Sequence, residues 1–174
     1  NMANKHVEIS SEAIRKALNK YRPEQAIAEY IWNGFDAKAT RVEITYTERL
    51  NSLGLIESIC IEDNGEGIIH DELDLKFKKF NESQKAKKKK RSHDLTKGKN
   101  GYGRFTFFKF ANQASWETVY RKQDSLYNYT IQIKNETLND YQHSEAVLDN
   151  DKQPGTKVTF TDINHNFSTD FIKK

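Results

Sequence analysis

The hydrophobic pattern at the start of the chain predicts two helices. Ser10 or Ser11 can cap the first, whose apolar positions recur every three or four residues as far as about Tyr21. Pro23 suits the first turn of a second helix, because its missing N–H would have no partner there in any case. The same spacing ends near residues 36–38, so two successive helices are expected near the start of the domain.

The period then changes from 3.6 to 2, which is typical of strands with one buried face. Residues 40–47 place Val42, Ile44 and Tyr46 on one side. A turn at 51–54 leads into a second strand over 55–62, and the two are expected to pair as a β-hairpin. Further elements are predicted in this order: a short helix over 71–80, a helix over 104–111, and strands over 114–121, 126–134, 144–148 and 155–161.

The second helix carries polar residues in register. A helix turns about 100° per residue, so Glu29, Asn33 and Asp36 share one face, and Tyr30 and Ile31 fall to the other side. Three polar groups on a core helix are costly to bury without partners. By itself this pattern is more typical of a solvated helix face.

A glycine-containing turn follows the second strand, at residues 63–68. Its Asn64-Gly65 pair is also a common hairpin signal, so a simple turn remains an alternative. No strand pattern follows it, however. Two glycines, Gly65 and Gly67, allow the backbone to approach a ligand closely, and the carboxylate of Asp63 can accept a hydrogen bond from an exocyclic amine.

A second group of glycines, Gly98, Gly101 and Gly103, closes a long lysine-rich segment over residues 81–100. Long loops without apolar periodicity are often lids. Glycines that open a helix create an anion site, because unpaired N–H groups and the positive end of the helix dipole face the ligand. The spacing matches neither a Walker A loop nor a strand–turn–helix dinucleotide fingerprint.

Composition and charge narrow the class of protein. The chain has 174 residues with 36% hydrophobic and 30% charged content, which fits one globular domain. Six positive charges within residues 85–91 account for the net charge of +3, so the remainder is mildly acidic. Cys60 is the single cysteine, which excludes an intrachain disulfide. With no apolar run long enough for a membrane span or signal peptide, a cytoplasmic protein without membrane association is expected.

Four motifs in one order resemble a known superfamily. They are Glu29-x-x-x-Asn33-x-x-Asp36-Ala37, Asp63-x-Gly65-x-Gly67, Gly98-x-x-Gly101-x-Gly103 and a late strand that begins Gly155-Thr156. The series resembles the GHKL ATP-binding domain shared by DNA gyrase B, ninety-kilodalton heat-shock chaperones, histidine kinases and MutL. The Asp-Ala-x-Ala-Thr run that begins at Asp36 is most similar to the MutL and MORC branch.

The resemblance implies a role for each matched residue. Glu29 matches the general base that activates water, and Asn33 matches a ligand of Mg²⁺. Asp63 matches the acceptor for the adenine amino group, with a water held near Thr156. Asp36 is expected to orient its neighbours. The nucleotide-binding residues implied in this way are Asn33, Asp63, Gly65, Gly67, Ile68, Gly98, Gly101, Tyr102, Gly103 and Thr156.

The resemblance also implies a fold and an activity. The fold would be an α/β (α+β) two-layer sandwich, with helices on one face of a mixed, mostly antiparallel sheet. The activity would be Mg²⁺-dependent ATP binding and slow hydrolysis that drives lid closure and homodimerisation. Residues 1–174 would be a single N-terminal domain of a longer protein, whose next domain supplies a lysine to the γ-phosphate.

Two alternatives remain at this point. One is a histidine-kinase catalytic domain, against which the Asp-Ala-x-Ala-Thr run and the lack of an upstream helix pair both argue. The other is a non-catalytic nucleotide- or DNA-binding module that uses the lysines of residues 85–91 as its contact surface. A lysine run of this kind is also common in solvated loops.

Overall fold

The computed structural model describes residues 1–7, 9–51, 54–78 and 103–167, which form one sheet with its helices. The strands are β1 (Met2–His6), β2 (Val42–Glu48), β3 (Ile56–Asp63), β4 (Ala111–Lys122), β5 (Ser125–Lys134), β6 (Asp140–Ser144), β7 (Val147–Leu148) and β8 (Gly155–Ile163). The helices are α1 (Ser11–Leu18), α2 (Pro23–Asp36) and α3 (Leu73–Lys78), with short 3₁₀ helices at His70–Glu72, Gly103–Lys109 and Asn135–Thr137.

The strands lie in the order β1-β6-β5-β4-β8-β3-β2, and β7 pairs with β5. Every pairing among the described strands is antiparallel. The β2–β3 hairpin predicted from the alternating pattern is present, with Ile44 opposite Ile61. Central strand β8 lies between β3 and β4, so it joins the hairpin to the rest of the sheet.

The alternation of buried and exposed residues along the strands shows which face of the sheet is covered. In β8, the side chains of Val158 and Phe160 are buried, whereas the side chain of Lys157, which precedes Val158, is exposed. The buried side chains pack against Ile27 and Tyr30 of α2 and against Ile14 of α1. One face of the sheet therefore carries the helices and the core, and the predicted two-layer α/β sandwich with a mostly antiparallel sheet is confirmed.

Local signals account for the starts of the helices. Ser10 accepts a hydrogen bond from the Ala13 N–H and caps α1, as predicted. Pro23 occupies the first turn of α2, also as predicted. The first helix ends at Leu18 instead of continuing to Tyr21, because the Tyr21 N–H turns back to the Leu18 carbonyl. Tyr21 still packs against the core.

Three further elements differ from the predictions. Strand β1 was not predicted, since its exposed and half-buried positions alternate without a strong apolar face. The strand expected over 144–148 is divided: β6 ends at Ser144 and β7 covers only Val147–Leu148. The helix expected over 104–111 is a 3₁₀ helix over Gly103–Lys109. None of the described helices has the length and apolar character needed to span a lipid bilayer.

Candidate functional site

The polar face of α2 is held in place by the opposite side of the same helix. Ala26, Ile27 and Tyr30 are buried against the sheet, as the sequence predicts. Glu29 and Asn33 are consequently half-buried and Asp36 is exposed. The helix thus presents its carboxylate and amide groups at the margin of the core instead of inside it.

The turn after β3 is attached to the end of α2. The Glu66 N–H donates to the Ala37 carbonyl at 2.8 Å, and Asn64 bonds the backbone of Thr40 and Arg41. A Cβ added at Gly65 would lie 2.6 Å from that same Ala37 carbonyl oxygen, so only glycine fits. The Asn64-Gly65 pair therefore does not close a hairpin. It brings the first two motifs together.

Asp63 is the last residue of β3, opposite Thr156 in the β8 register. Its carboxylate accepts a hydrogen bond from the Gly65 N–H at 2.8 Å. Burial raises the pKa of the Asp63 carboxyl group above its usual value, although the N–H groups of Gly65 and Thr156 lower it in part. A carboxylate has about four lone-pair positions, so Asp63 retains acceptor capacity for a ligand.

Thr118 of β4 is a buried polar residue that was not predicted for the site. Its hydroxyl accepts a hydrogen bond from the Ile68 N–H at 2.9 Å and lies 2.9 Å from the Thr156 hydroxyl. Gly67 beside it has a φ of 76°, and a Cβ there would stand 2.1 Å from the Val119 carbonyl oxygen. Thr118 is fully buried. Its hydroxyl group links Ile68 to Thr156, and Gly67 packs beside it, so one buried side chain connects three predicted residues.

Gly103 lies against the polar face of α2. A Cβ at Gly103 would be 2.9 Å from Glu29 Oε2 and 3.7 Å from Asn33 Oδ1. The Tyr30 hydroxyl fixes this arrangement: it donates to the Arg104 carbonyl at 2.9 Å and accepts from the Phe107 N–H at 3.0 Å. The start of the 3₁₀ helix, the general-base candidate and the metal-ligand candidate are therefore neighbours.

A cavity of about 370 Å³ lies between α2 and the sheet, large enough for a small-molecule ligand. Five of the residues that line this cavity were predicted to bind the nucleotide: Asn33, Asp63, Gly67, Ile68 and Thr156. The remaining lining residues are Tyr30, Asp36, Ala37, Ile61, Lys76, Arg104, Trp116 and Val158. The structure thus gathers five of the predicted nucleotide-binding residues around one cavity, and Gly103 immediately precedes another lining residue.

Glu29 is not among the cavity-lining residues that the structure describes. Its carboxylate instead lies beside Gly103, next to Asn33. Three predicted residues, Gly98, Gly101 and Tyr102, lie outside the described part of the chain, and so does the lysine-rich segment predicted as a lid.

Thr118 and Arg104 are two of the network and cavity residues that were not predicted, and lining residues such as Lys76 are others. A signal for Thr118 existed: Trp116, Thr118 and Tyr120 alternate as the inward positions of β4, so a lone threonine interrupts an apolar row. Buried hydroxyls of this kind need partners. Arg104 follows the glycine motif directly, but no spacing rule indicates which way its side chain points.

The donor set suits a hard cation that is shared with a ligand. Glu29 and Asn33 offer a carboxylate and an amide oxygen near Gly103, the type of ligand that Mg²⁺ prefers. Within the described residues, no group of three or more His, Cys, Asp or Glu side chains could hold a metal. Phosphate and water oxygens would therefore have to complete a magnesium coordination sphere, as is usual for this ion.

The comparison with known families identifies the family of this domain. The family model described as "Histidine kinase-, DNA gyrase B-, and HSP90-like ATPase" matches residues 21–162, which include α2, the Asp63 turn, Gly103 and Thr156. No curated protein matches the sequence significantly. The matched family supports ATP binding by this domain. The chain therefore belongs to the histidine kinase-, DNA gyrase B- and HSP90-like ATPase family, the GHKL superfamily.

Proposed function

We propose that this domain binds ATP with Mg²⁺ and hydrolyses it slowly. The observation that carries the proposal is the convergence of two distant motifs. Asp63 and Asn33 line one cavity, and Glu29 lies next to Asn33 beside Gly103. A site of this form has an acceptor for the base at one end and oxygen ligands for a cation at the other.

At the adenine end, the Asp63 carboxylate would accept a hydrogen bond from the exocyclic amino group. Gly65 and Gly67 keep the backbone close and Thr156 offers a hydroxyl to a bridging water. Apolar side chains of the lining, Ile61, Trp116 and Val158 among them, suit the faces of a purine. With the C6 substituent of the purine against Asp63, adenine presents an amino group to the carboxylate, whereas guanine in the same orientation would present a carbonyl oxygen that the carboxylate repels.

At the phosphate end, Asn33 would hold Mg²⁺ together with phosphate oxygens and water, and the ion would supply charge compensation for the triphosphate. Glu29 lies one helical turn away, so both groups point in the same direction. Hydrolysis of a phosphoanhydride requires mainly a positioned water. Glu29 is the residue that we assign to align that water and to take its proton.

The wider cycle is also a proposal. Backbone N–H groups at Gly98, Gly101, Tyr102 and Gly103 would wrap the phosphates, and residues 81–100 would close over them as a lid. ATP-dependent closure would drive dimerisation of a longer protein of the MutL and MORC branch, which could act on DNA. What supports this cycle is the order of the four motifs, together with the Asp-Ala-x-Ala-Thr run.

Two substitutions test the assigned roles. Glu29→Ala should retain ATP affinity while phosphate release falls about 10²-fold or more, the scale of a positioned base. Glu24→Ala is the matched control on the same helix, since its carboxylate lies 3.9 Å from His165 Nε2 and not near Gly103.

Asp63→Asn should weaken binding of ATP and of adenosine alike, whereas Glu62→Gln, one residue earlier on the opposite face, should not.

Isothermal titration calorimetry gives the affinities and a phosphate-release assay gives the turnover. Unchanged turnover in Glu29→Ala would remove Glu29 from the mechanism. Equal ATP affinity in the Asp63→Asn variant and the native sequence would place the adenine elsewhere.

A further inference from the structure

Arg104 is a charged residue of the cavity to which no motif assigns a role. It directly follows Gly103, and its side chain lines the same cavity as Asn33 and Asp63. The cavity wall that contains Arg104 is partly charged, and a half-buried guanidinium is costly to remove from water unless it has a partner. Because the neighbouring residues belong to the proposed nucleotide site, that partner is sought in the ligand.

The structure holds both the backbone and the side chain of Arg104 in place. Its backbone carbonyl accepts the hydrogen bond from the Tyr30 hydroxyl at 2.9 Å, which ties it to α2. Its guanidinium carbon lies 5.7 Å from the centre of the Phe77 ring of α3, within the range of a cation–π contact. A long side chain that is already positioned loses less conformational entropy when it binds a ligand.

The charges of the cavity lining show why Arg104 matters for an anionic ligand. Two carboxylates, Asp36 and Asp63, and two cations, Lys76 and Arg104, line it. A nucleoside polyphosphate is strongly anionic, and without Arg104 the lining would carry a net negative charge. The Tyr129 hydroxyl interacts electrostatically with Arg104, and it is buried without a hydrogen-bond partner among the described residues.

We infer that Arg104 binds the phosphates of the nucleotide and so contributes to the preference for ATP and ADP over adenosine. A guanidinium offers paired N–H donors that match two phosphate oxygens, a geometry that an ammonium group does not provide. This inference rests on the proposed function, since it names a phosphate ligand within the same cavity. It goes beyond that function because the glycine motif supplies only backbone N–H groups.

The test is a ligand series measured on the chain as it stands. In Arg104→Met, the affinities for ATP and ADP should fall about 10- to 100-fold, the value of hydrogen bonds to a charged group, while adenosine affinity stays unchanged. The salt dependence of ATP binding should also become shallower than in the native sequence, because one screened charge pair is lost. Calorimetry at two ionic strengths measures both effects.

Arg15→Met is the matched control. The Arg15 guanidinium lies 5.4 Å from the Phe108 ring centre, so this variant also removes an arginine from an aromatic face, but outside the cavity lining. It should leave all three affinities unchanged. Thermal unfolding followed by circular dichroism shows whether both variants are folded. Should Arg104→Met fail to fold, Arg104→Lys keeps the charge without the paired donors, and its ATP-to-adenosine affinity ratio should fall below the native ratio.

The outcomes separate this inference from the proposed function. Loss of adenosine affinity as large as the loss of ATP affinity would mean that Arg104 supports the cavity wall or stacks on the base, and the inference would be wrong. Unchanged ATP affinity in Arg104→Met and in Arg104→Lys would overturn it as well, with the proposed function intact. A native chain that binds neither ATP nor adenosine would refute both.

Discussion

The two ends of the proposed nucleotide site, the adenine end around Asp63 and Thr156 and the phosphate end around Glu29 and Asn33, are built in different ways. At the adenine end, Asp63 and Thr156 are fixed by the register of β3 and β8, and Thr118 connects Ile68 to Thr156 through hydrogen bonds of 2.9 Å. At the phosphate end, Glu29 and Asn33 project from a single helix toward Gly103. Strand pairing therefore sets the positions of the residues at the adenine end, whereas the orientation of α2 sets those at the phosphate end.

The two ends also differ in how easily their atoms can move. A Cβ at Gly67 would meet a backbone oxygen at 2.1 Å, which cannot move without disturbing β4. A Cβ at Gly103 would meet the Glu29 carboxylate at 2.9 Å, which can rotate away, and the Glu29 Cβ at 3.2 Å, which requires only a small adjustment of the backbone. The adenine end is therefore expected to be preorganised, whereas side chains at the phosphate end can adjust as a cation and phosphates arrive.

The largest expected effect is the contrast between Gly67→Ala and Gly103→Ala. Gly67→Ala combines a φ of 76° with a backbone collision and should lower the free energy of unfolding by at least about 3 kcal/mol. Gly103→Ala should fold nearly as well as the native chain, yet it should lower ATP turnover because the Glu29 carboxylate is displaced. Urea unfolding and phosphate release measure the two consequences.

Gly54→Ala controls for backbone strain alone. Its φ of 85° is equally unfavourable, but no described atom lies within 4 Å of the added carbon. A cost of only about 1 kcal/mol is expected there. If Gly67→Ala were no worse than Gly54→Ala, the adenine end would be as adaptable as the phosphate end and the contrast would disappear.

Tyr30→Phe is a smaller change that loosens the phosphate end selectively. The Phe107 N–H and the Arg104 carbonyl each lose a partner, so a stability loss of about 1–3 kcal/mol is expected. Turnover should fall by more than this loss of folded protein explains, because the start of the 3₁₀ helix is no longer tied to α2. Melting temperature and turnover at a temperature well below it measure the two effects.

Tyr141→Phe is the matched control, since the Tyr141 hydroxyl donates to Asp74 Oδ1 at 2.7 Å and neither residue lines the cavity. It should reduce stability to a similar degree without affecting turnover at that temperature. Equal turnover in the two variants would show that the Tyr30 hydroxyl serves folding only.

The contrast between the two ends also explains how far sequence reasoning reached. Periodicity located α2 and the β2–β3 hairpin, because burial of one face determines both. The spacing of Glu29 and Asn33 was sufficient to place them on one helix face. What fixes Gly65 against Ala37, by contrast, is tertiary contact between residues far apart in the chain, which no local pattern indicates.

Two residues and one strand show what local pattern cannot provide. Thr118 becomes important only when the β4–β8 register brings it to Thr156. Arg104 depends on the direction in which a 3₁₀ helix leaves Gly103, for which short glycine-flanked segments have no periodic signal. Strand β1 is stabilised by pairing with β6, almost 140 residues away, and its own residues have no strong apolar face.

The smallest expected effect concerns the protonation of Asp63. Burial raises the pKa of its carboxyl group in the folded protein, so in the window above the usual aspartate value the native state binds more protons than the unfolded state. The contribution of Asp63 to the free energy of unfolding therefore decreases as the pH rises through that window. Ligand binding has the opposite trend, because only the ionised carboxylate offers a charge-assisted acceptor to the adenine amino group.

Adenosine, which carries no phosphate to titrate, isolates this effect. Its affinity should fall about fivefold as the pH is lowered through the raised pKa of Asp63, the difference between a charge-assisted and a neutral hydrogen bond. Calorimetric titrations at a series of pH values should show the fall in the native chain and in Glu62→Gln, but not in Asp63→Asn. A fall that persists in Asp63→Asn would assign the titration to another group, and the adenine end would then be preorganised without depending on the charge of its carboxylate.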